Sequence, residues 1–169
     1  SRGLGDVYKR QLEYCLFIQY FFVYAELHCL SHYSFLRGAS APEELVNRAT
    51  HCGYHALAIT DECSLAGVVK AHVAAKEHNL KLIIGSELTL TEGIRLVALV
   101  PDRKAYGELS GLISRARRRS GKGEYIVHLR DVIFHLKRCL LILLPDDTAN
   151  QSVHLQQLAK RCKGRVWIG

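Results

Sequence analysis

Three stretches of this chain each end an apolar run in groups that titrate. YAELHCLSHYSFLRGAS (24–40) carries His28, ALAITDECSLAGVVKAH (56–72) carries Asp61 and Glu62, and KLIIGSEL (81–88) carries Glu87. Imidazole and carboxylate are the donor types that hold divalent ions. Each of these groups stands at or near the carboxyl end of a predicted buried strand, where parallel α/β sheets and barrels gather their chemistry. If the strands lie side by side, residues far apart in sequence meet at one mouth.

The elements that must do this positioning alternate between strand and helix. In YAELHCL, Ala25, Leu27 and Cys29 fall on one face and Glu26, His28 and Leu30 on the other, as period-two geometry requires. Ser40 with Glu43 reads as a capping box, Pro42 fits a first helical turn, and Gly53 a C-terminal cap. Leu45, Val46, Ala49 and Cys52 recur between them at helical spacing. ALAIT (56–60) is a short continuous apolar strand of the kind covered on both sides. Ser64 opens a second helix with an inner stripe of Leu65, Val68, His72 and Ala75, and Asn79 stops it. KLIIGSELTL (81–90) is a third strand, with Gly85 where the backbone bends or approaches something closely. RLVALV (95–100) is a fourth, and a helix with Tyr106, Leu109, Ile113 and Ala116 on one face follows. A weaker helix near 130–138, the strand CLLILLP (139–145), a helix over 151–162 and a strand at VWI complete the pattern.

Composition sets the bounds. The chain has 169 residues, 49% of them hydrophobic and 23% charged, which is globular rather than disordered. The net charge of +7 fits a nucleic-acid neighbour as well as an ordinary basic domain. Six cysteines without a C-x-x-C pair read as buried free thiols in a reducing compartment. SRGLGDVYKRQ (1–11) has no apolar period and reads as a sequencing or assembly scar; without it the net charge falls by two. LEYCLFIQYFFV (12–23) is an apolar leader, too short to span a membrane, which leaves 24–169 as the domain proper.

The segments YAELHCLSHYSFLRGASAPEELV, ITDECSLAGVVKAH and IIGSEL resemble the N-terminal PHP (polymerase and histidinol phosphatase) domain of C-family bacterial DNA polymerases. These are the polymerase III alpha subunits, and the wording is closest to the error-prone branch. The resemblance covers about 24–169. It implies a distorted (β/α) barrel of parallel strands, TIM-barrel-like, incomplete at its C-terminal end.

In metal-binding members the first strand carries His-x-His, and here that pattern reads His28-Cys29-Leu30. A later Asp of the same loop is Arg37, the Thr-Asp-His of the second motif is Thr60-Asp61-Glu62, and the third-motif Glu is Glu87. A His at the start of the fourth strand is Arg95, and Pro145 and Asp146 stand where a Cys is expected. The final Asp-x-His would lie beyond Gly169. A cluster of two or three divalent ions needs many donors. Leucine offers none, and two guanidinium groups would stand where dications should sit. Arg37 and Arg95 can instead pair with Glu62 and Glu87.

The expectation is therefore a relict site of His28, Ser34, Asp61, Glu62 and Glu87, with Leu30, Arg37 and Arg95 replacing ligands and no metal held. His28, Glu62 and Glu87 are the weak candidates for one ion. His28 reads as a core histidine of the barrel mouth, Asp61 as the holder of a strand-to-helix turn, Ser34 as a turn or cap residue, and His72 as packing. His32, His51, His55, His78, His128, His135 and His154 show no ligand spacing, and SGKGE lacks the spacing of a phosphate loop. Arg115, Arg117, Arg118, Arg119 and Lys122 form a basic run, either a solvated helix end or a track for a DNA backbone.

For the intact protein the resemblance implies a DNA-directed DNA polymerase of damage-tolerant synthesis in the bacterial cytoplasm. DNA and deoxynucleoside triphosphates would be its substrates, Mg²⁺ would serve the polymerase domain, and a sliding clamp and other damage-tolerance proteins would be partners, with no membrane. This region would be a structural, non-catalytic platform. The alternatives are an active metal-dependent PHP phosphoesterase or exonuclease and a stand-alone binding module.

Overall fold

The computed structural model describes residues 24–145 and 151–169; the segments 1–11 and 12–23, and Asp146, lie outside the described residues. Among the described residues six strands form one sheet in chain order: β1 (Ala25–Glu26), β2 (Ala56–Ile59), β3 (Lys81–Thr89), β4 (Arg95–Val100), β5 (Leu140–Leu144) and β6 (Val166–Ile168). Five described helices connect and cover it: α1 (Pro42–His51), α2 (Val68–Glu77), α3 (Arg103–Arg118), α4 (Leu129–His135) and α5 (Gln151–Arg161). The α/β class and the partial, curled barrel are as expected. The strand directions are mixed rather than all parallel. β1, β2 and β3 run parallel, β4 is antiparallel to both β3 and β5, and β6 is parallel to β5. The cause of the first reversal is the link Leu90–Ile94, a tight turn in which the Leu90 N–H donates to Ile94 O at 2.8 Å and Gly93 holds φ +78°. A parallel crossover needs a dozen or more residues.

Side chains alternate between the two sheet faces. Leu57 and Ile59 pack on one side with Val46 and Ala49 of α1 and Ala71, Ala74 and Ala75 of α2. Leu88, Leu96, Ala98, Leu141 and Leu143 pack with Leu109, Leu112 and Ala116 of α3, Val132 of α4 and Leu158 of α5. Ala58, Val97 and Leu99 point the other way. Gly85 lies where β3 and β4 come closest, for a Cβ there would stand 2.8 Å from Ala98 O and 3.0 Å from Thr60 Cγ2. Gly85→Ala is expected to destabilise the chain by about 1–3 kcal/mol through overpacking, read as a lower denaturant midpoint with an unchanged slope.

Several helix details differ from the sequence reading. The N-cap of α1 is Ala41, whose N–H donates to Glu44 Oε2 at 2.8 Å; Glu43 instead faces Lys70 Nζ at 3.5 Å. Its C-terminal end closes as expected: Gly53 holds φ +72°, and Tyr54 N–H donates to Ala49 O at 2.9 Å, the bond that satisfies an orphan helix carbonyl. α2 begins three residues later than a Ser64 cap would place it, and Ser64 Oγ accepts from Ala66 N in the preceding turn. Its buried stripe is Val68, Ala71, Ala74 and Ala75, so His72 faces outward rather than packing. The inner stripe of α3 is Ala105, Leu109, Leu112 and Ala116, one residue off for Tyr106 and Ile113. β1 is only two residues long, shorter than the alternation expected through Leu30. Cys63, Cys139 and Cys162 are buried free thiols, Cys29 is half-buried and Cys52 is exposed. No described helix is long and apolar enough to cross a membrane.

Candidate functional site

The rim forms where β1, β2 and β3 end in the same direction. Past Glu26 the chain stays beside β2 through Thr60, whose N–H donates to Cys29 O at 2.8 Å. It then folds into a compact loop, with Ser34 O accepting from the N–H groups of Arg37 and Gly38 at 2.9 Å each, and His32 N–H bonded to Ser40 O at 2.9 Å. Gly38 makes the loop possible, for a Cβ there would fall 2.0 Å from Ser31 O. Beyond β2, Glu62 bridges to Glu87, so both carboxylates arrive at the same rim.

Asp61 ties the first loop to the second. Its Oδ1 accepts from Ser31 N at 2.8 Å and from Ser34 Oγ at 2.7 Å, and its Oδ2 from Ser31 Oγ at 2.7 Å. Ser34 Oγ in turn accepts from Glu62 N at 2.9 Å. Both side chains are buried. Ser31 was not singled out from the sequence, although it sits one position past Leu30.

Arg37 is the centre of charge. Its Nη1 lies 2.8 Å from Glu62 Oε2 and 2.7 Å from Glu87 Oε1, and its Nη2 3.2 Å from Glu87 Oε2. His28 Nε2 donates to Glu87 Oε2 at 2.7 Å. The Glu87 side chain is fully buried. Burial pushes its carboxyl up, but the hydrogen bonds from His28 and Arg37 and the positive charge of Arg37 outweigh that and hold it at about 2. Hydrogen bonds to Glu87 and Glu62 push the Arg37 guanidinium up. Charge-assisted, bidentate bonds of this kind are the strong ones.

Tyr125 and Arg117 support the rim from the far side. Tyr125 OH donates to Glu62 Oε1 at 2.7 Å and accepts from Thr89 N at 3.1 Å. Burial first, then the Glu62 bond, push its hydroxyl up to about 12 despite the Thr89 contact. Arg117 lies over the Tyr125 ring at 5.2 Å and donates to Cys63 O at 3.2 Å and Glu62 O at 3.3 Å. Nothing in the sequence marks Tyr125, and Arg117 was legible only as one charge among several. Tyr125→Phe is expected to cost about 0.5–1.5 kcal/mol and to leave the far-ultraviolet circular dichroism unchanged.

The basic run divides. Arg117 is spent on the rim, and Arg119 pairs with Asp131, Nη1 to Oδ2 at 2.5 Å. Arg115, Arg118 and Lys122 are exposed. Arg95 opens β4 opposite Thr89; among the described residues the ion pairs of Glu62 and Glu87 are with Arg37 and His28 and do not include Arg95.

A divalent cluster does not fit this donor set. Arg37 Nη1 lies between Glu62 and Glu87, the Leu30 side chain has no donor atom, and both Asp61 oxygens already accept from hydroxyl or amide donors. Among the described residues, no three His, Cys, Asp or Glu side chains are arranged to hold a metal ion.

The chain belongs to the PHP domain family, whose pattern matches residues 26–161. Among curated proteins it is 58% identical over 147 residues to an error-prone DNA polymerase of Saccharophagus degradans and 53% identical over 150 residues to one of Dechloromonas aromatica. Each alignment covers 86% of this chain, which spans 14% of the length of those relatives. A solved structure described as a putative metal-dependent phosphoesterase of Bifidobacterium adolescentis shares the fold, with TM-score 0.66 and 18% identity over 85% of this chain and 76% of that one. An amidohydrolase of Chromobacterium violaceum does so with TM-score 0.61 and 17% identity, over 85% of this chain and 75% of that one.

Proposed function

We propose that this chain is the PHP region of an error-prone DNA polymerase, acting as a folded, non-catalytic scaffold for the polymerase of which it is part. The identity of 58% and 53% to proteins so named supports the parentage. The observation that carries the scaffold reading is the Arg37 guanidinium between Glu62 and Glu87. A cation fixed to the chain stands where a catalytic ion would need to bind, and it pairs with both carboxylates without activating a water.

Nucleotidyl transfer to a primer would belong to the remainder of such a protein, with Mg²⁺ as its ion and DNA and deoxynucleoside triphosphates as its substrates. Its setting would be damage-tolerant synthesis in the bacterial cytoplasm, beside a sliding clamp and other damage-tolerance proteins. His28, Ser34, Asp61, Glu62 and Glu87 then serve as a structural bolt between three chain segments.

Elemental analysis of the purified chain, with a chromogenic phosphodiester assay in added Mn²⁺, tests this. Less than one tightly bound zinc or manganese per chain and no turnover are expected. Two or more ions per chain, with turnover lost in His28→Ala, would establish the phosphoesterase reading instead. The reading frame beyond Gly169 tests the parentage: a long polymerase frame is expected, and a stop codon would favour a stand-alone module.

A further inference from the structure

A second polar feature shares no residue with the rim. α4 and α5 flank an open cleft of about 740 Å³. Arg130, Lys160 and Arg161 line it, and all three are exposed. Among the described residues none of them has a carboxylate within 4.0 Å. This contrasts with Arg117 and Arg119 of the basic run, which are spent internally.

The acidic residue lining the cleft, Glu92, is already engaged. It accepts from Leu129 N at 3.0 Å, at the start of α4, and from Thr91 Oγ1 at 3.0 Å. Two further features point to a ligand with both charge and flat apolar surface. Phe134 lines the same cleft with 68% of its surface exposed, one turn beyond Arg130. His154 also lines it, and its Nδ1 is buried without a hydrogen-bond partner among the described residues.

Unpaired cations along a groove with an exposed aromatic ring are the elements that bind single-stranded nucleic acid, the charges following phosphates and the ring stacking on a base. A duplex hides its base faces, so an aromatic contact of this kind discriminates for single strands. We propose that the α4–α5 cleft binds single-stranded nucleic acid, with Arg130, Lys160 and Arg161 on the phosphodiester backbone and Phe134 stacked on a base. The site goes beyond the scaffold role and requires neither a metal at the rim nor a polymerase module.

Fluorescence anisotropy of a labelled short oligothymidylate, titrated with the 169-residue chain at several salt concentrations, tests it. Three neutralised phosphates predict a log–log salt slope of about −2. Arg130→Ala, Lys160→Ala and Arg161→Ala combined are expected to abolish most of that slope. Phe134→Ala is expected to weaken single-strand binding about tenfold while leaving the slope and any residual duplex binding unchanged. All four side chains are exposed, and an unchanged denaturation midpoint confirms that each variant is folded.

Three results would overturn the proposal. They are cleft variants that bind like the parent chain, loss of binding in Arg115→Ala/Arg118→Ala/Lys122→Ala instead, and polyglutamate that competes as well as the oligonucleotide. None of these bears on the elemental analysis or the reading frame, so failure here is separable from failure of the scaffold reading.

Discussion

Arg37→Ala is expected to lower the unfolding free energy of this chain by about 3 kcal/mol, the low end of what removing one partner of a buried ion pair costs. The low end applies because Arg37 keeps a third of its side chain exposed and His28 remains on Glu87. What the substitution leaves behind is the penalty: a fully buried Glu87 carboxylate that loses two of its three charge-assisted bonds. Acid titration gives an independent reading of the same interaction. The folded Glu87 sits at about 2, against an ordinary value of 4.5. A carboxyl held low in the folded state stabilises above its unfolded pKa, and that stability is lost as pH falls through the folded value. The parent chain should therefore hold its Glu87 contribution down to about pH 4.5 and lose about 3 kcal/mol as pH approaches 2. Arg37→Ala should move that loss upward in pH. An acid profile that superimposes on the parent's would show that Arg37 does not control Glu87. Arg37→Lys should recover only part of the stability, since an ammonium cannot form the planar fork that reaches two carboxylates.

Gly38→Ala is the second large effect, expected at about 3 kcal/mol, the upper end of the range for overpacking. The atom a methyl group would strike is the Ser31 carbonyl, 2.0 Å away, and no side-chain rotation relieves a clash with backbone. The loop from Ser31 to Ser40 must shift, and Arg37 shifts with it. The predicted signature is coupling. Gly38→Ala and Arg37→Ala together should cost clearly less than the sum of the two single changes, since a displaced loop has already lost the ion pair. Strict additivity would show that the loop and the charge cluster are independent. Gly107→Ala in α3 provides the contrast. Nothing lies within 4 Å of a Cβ there, and the substitution is expected to stabilise by about 0.5–1 kcal/mol through helix propensity.

The order of strands and helices was legible because each apolar run had the length and period of its element. Gly53 and Asn79 marked two helix ends correctly, and both adopt positive φ. The direction of β4 against β3 was legible in principle. The link Leu90–Ile94 is too short for any crossover, yet the expectation of uniform direction outweighed it. The reversal between β4 and β5 was not legible, for α3 and α4 lie between them and two helices permit either direction. At the rim, the motif positions identified His28, Arg37, Asp61, Glu62 and Glu87. Arg95, expected to pair with these carboxylates, forms no ion pair with them among the described residues, because a position in a motif does not say how far its side chain reaches. Ser31, Arg117 and Tyr125 were missed for a different reason. Their roles arise from contacts across 30, 54 and 63 residues of chain, and no local pattern encodes such partners.

A coordinated ion can be stripped by a chelator, exchanged for a competitor or left unfilled when supply runs short. A guanidinium is synthesised with the polypeptide, arrives at one equivalent per molecule and cannot dissociate. On the scaffold reading the junction of these three chain segments matures without a loading step, and treatment with EDTA should leave its melting temperature where it was.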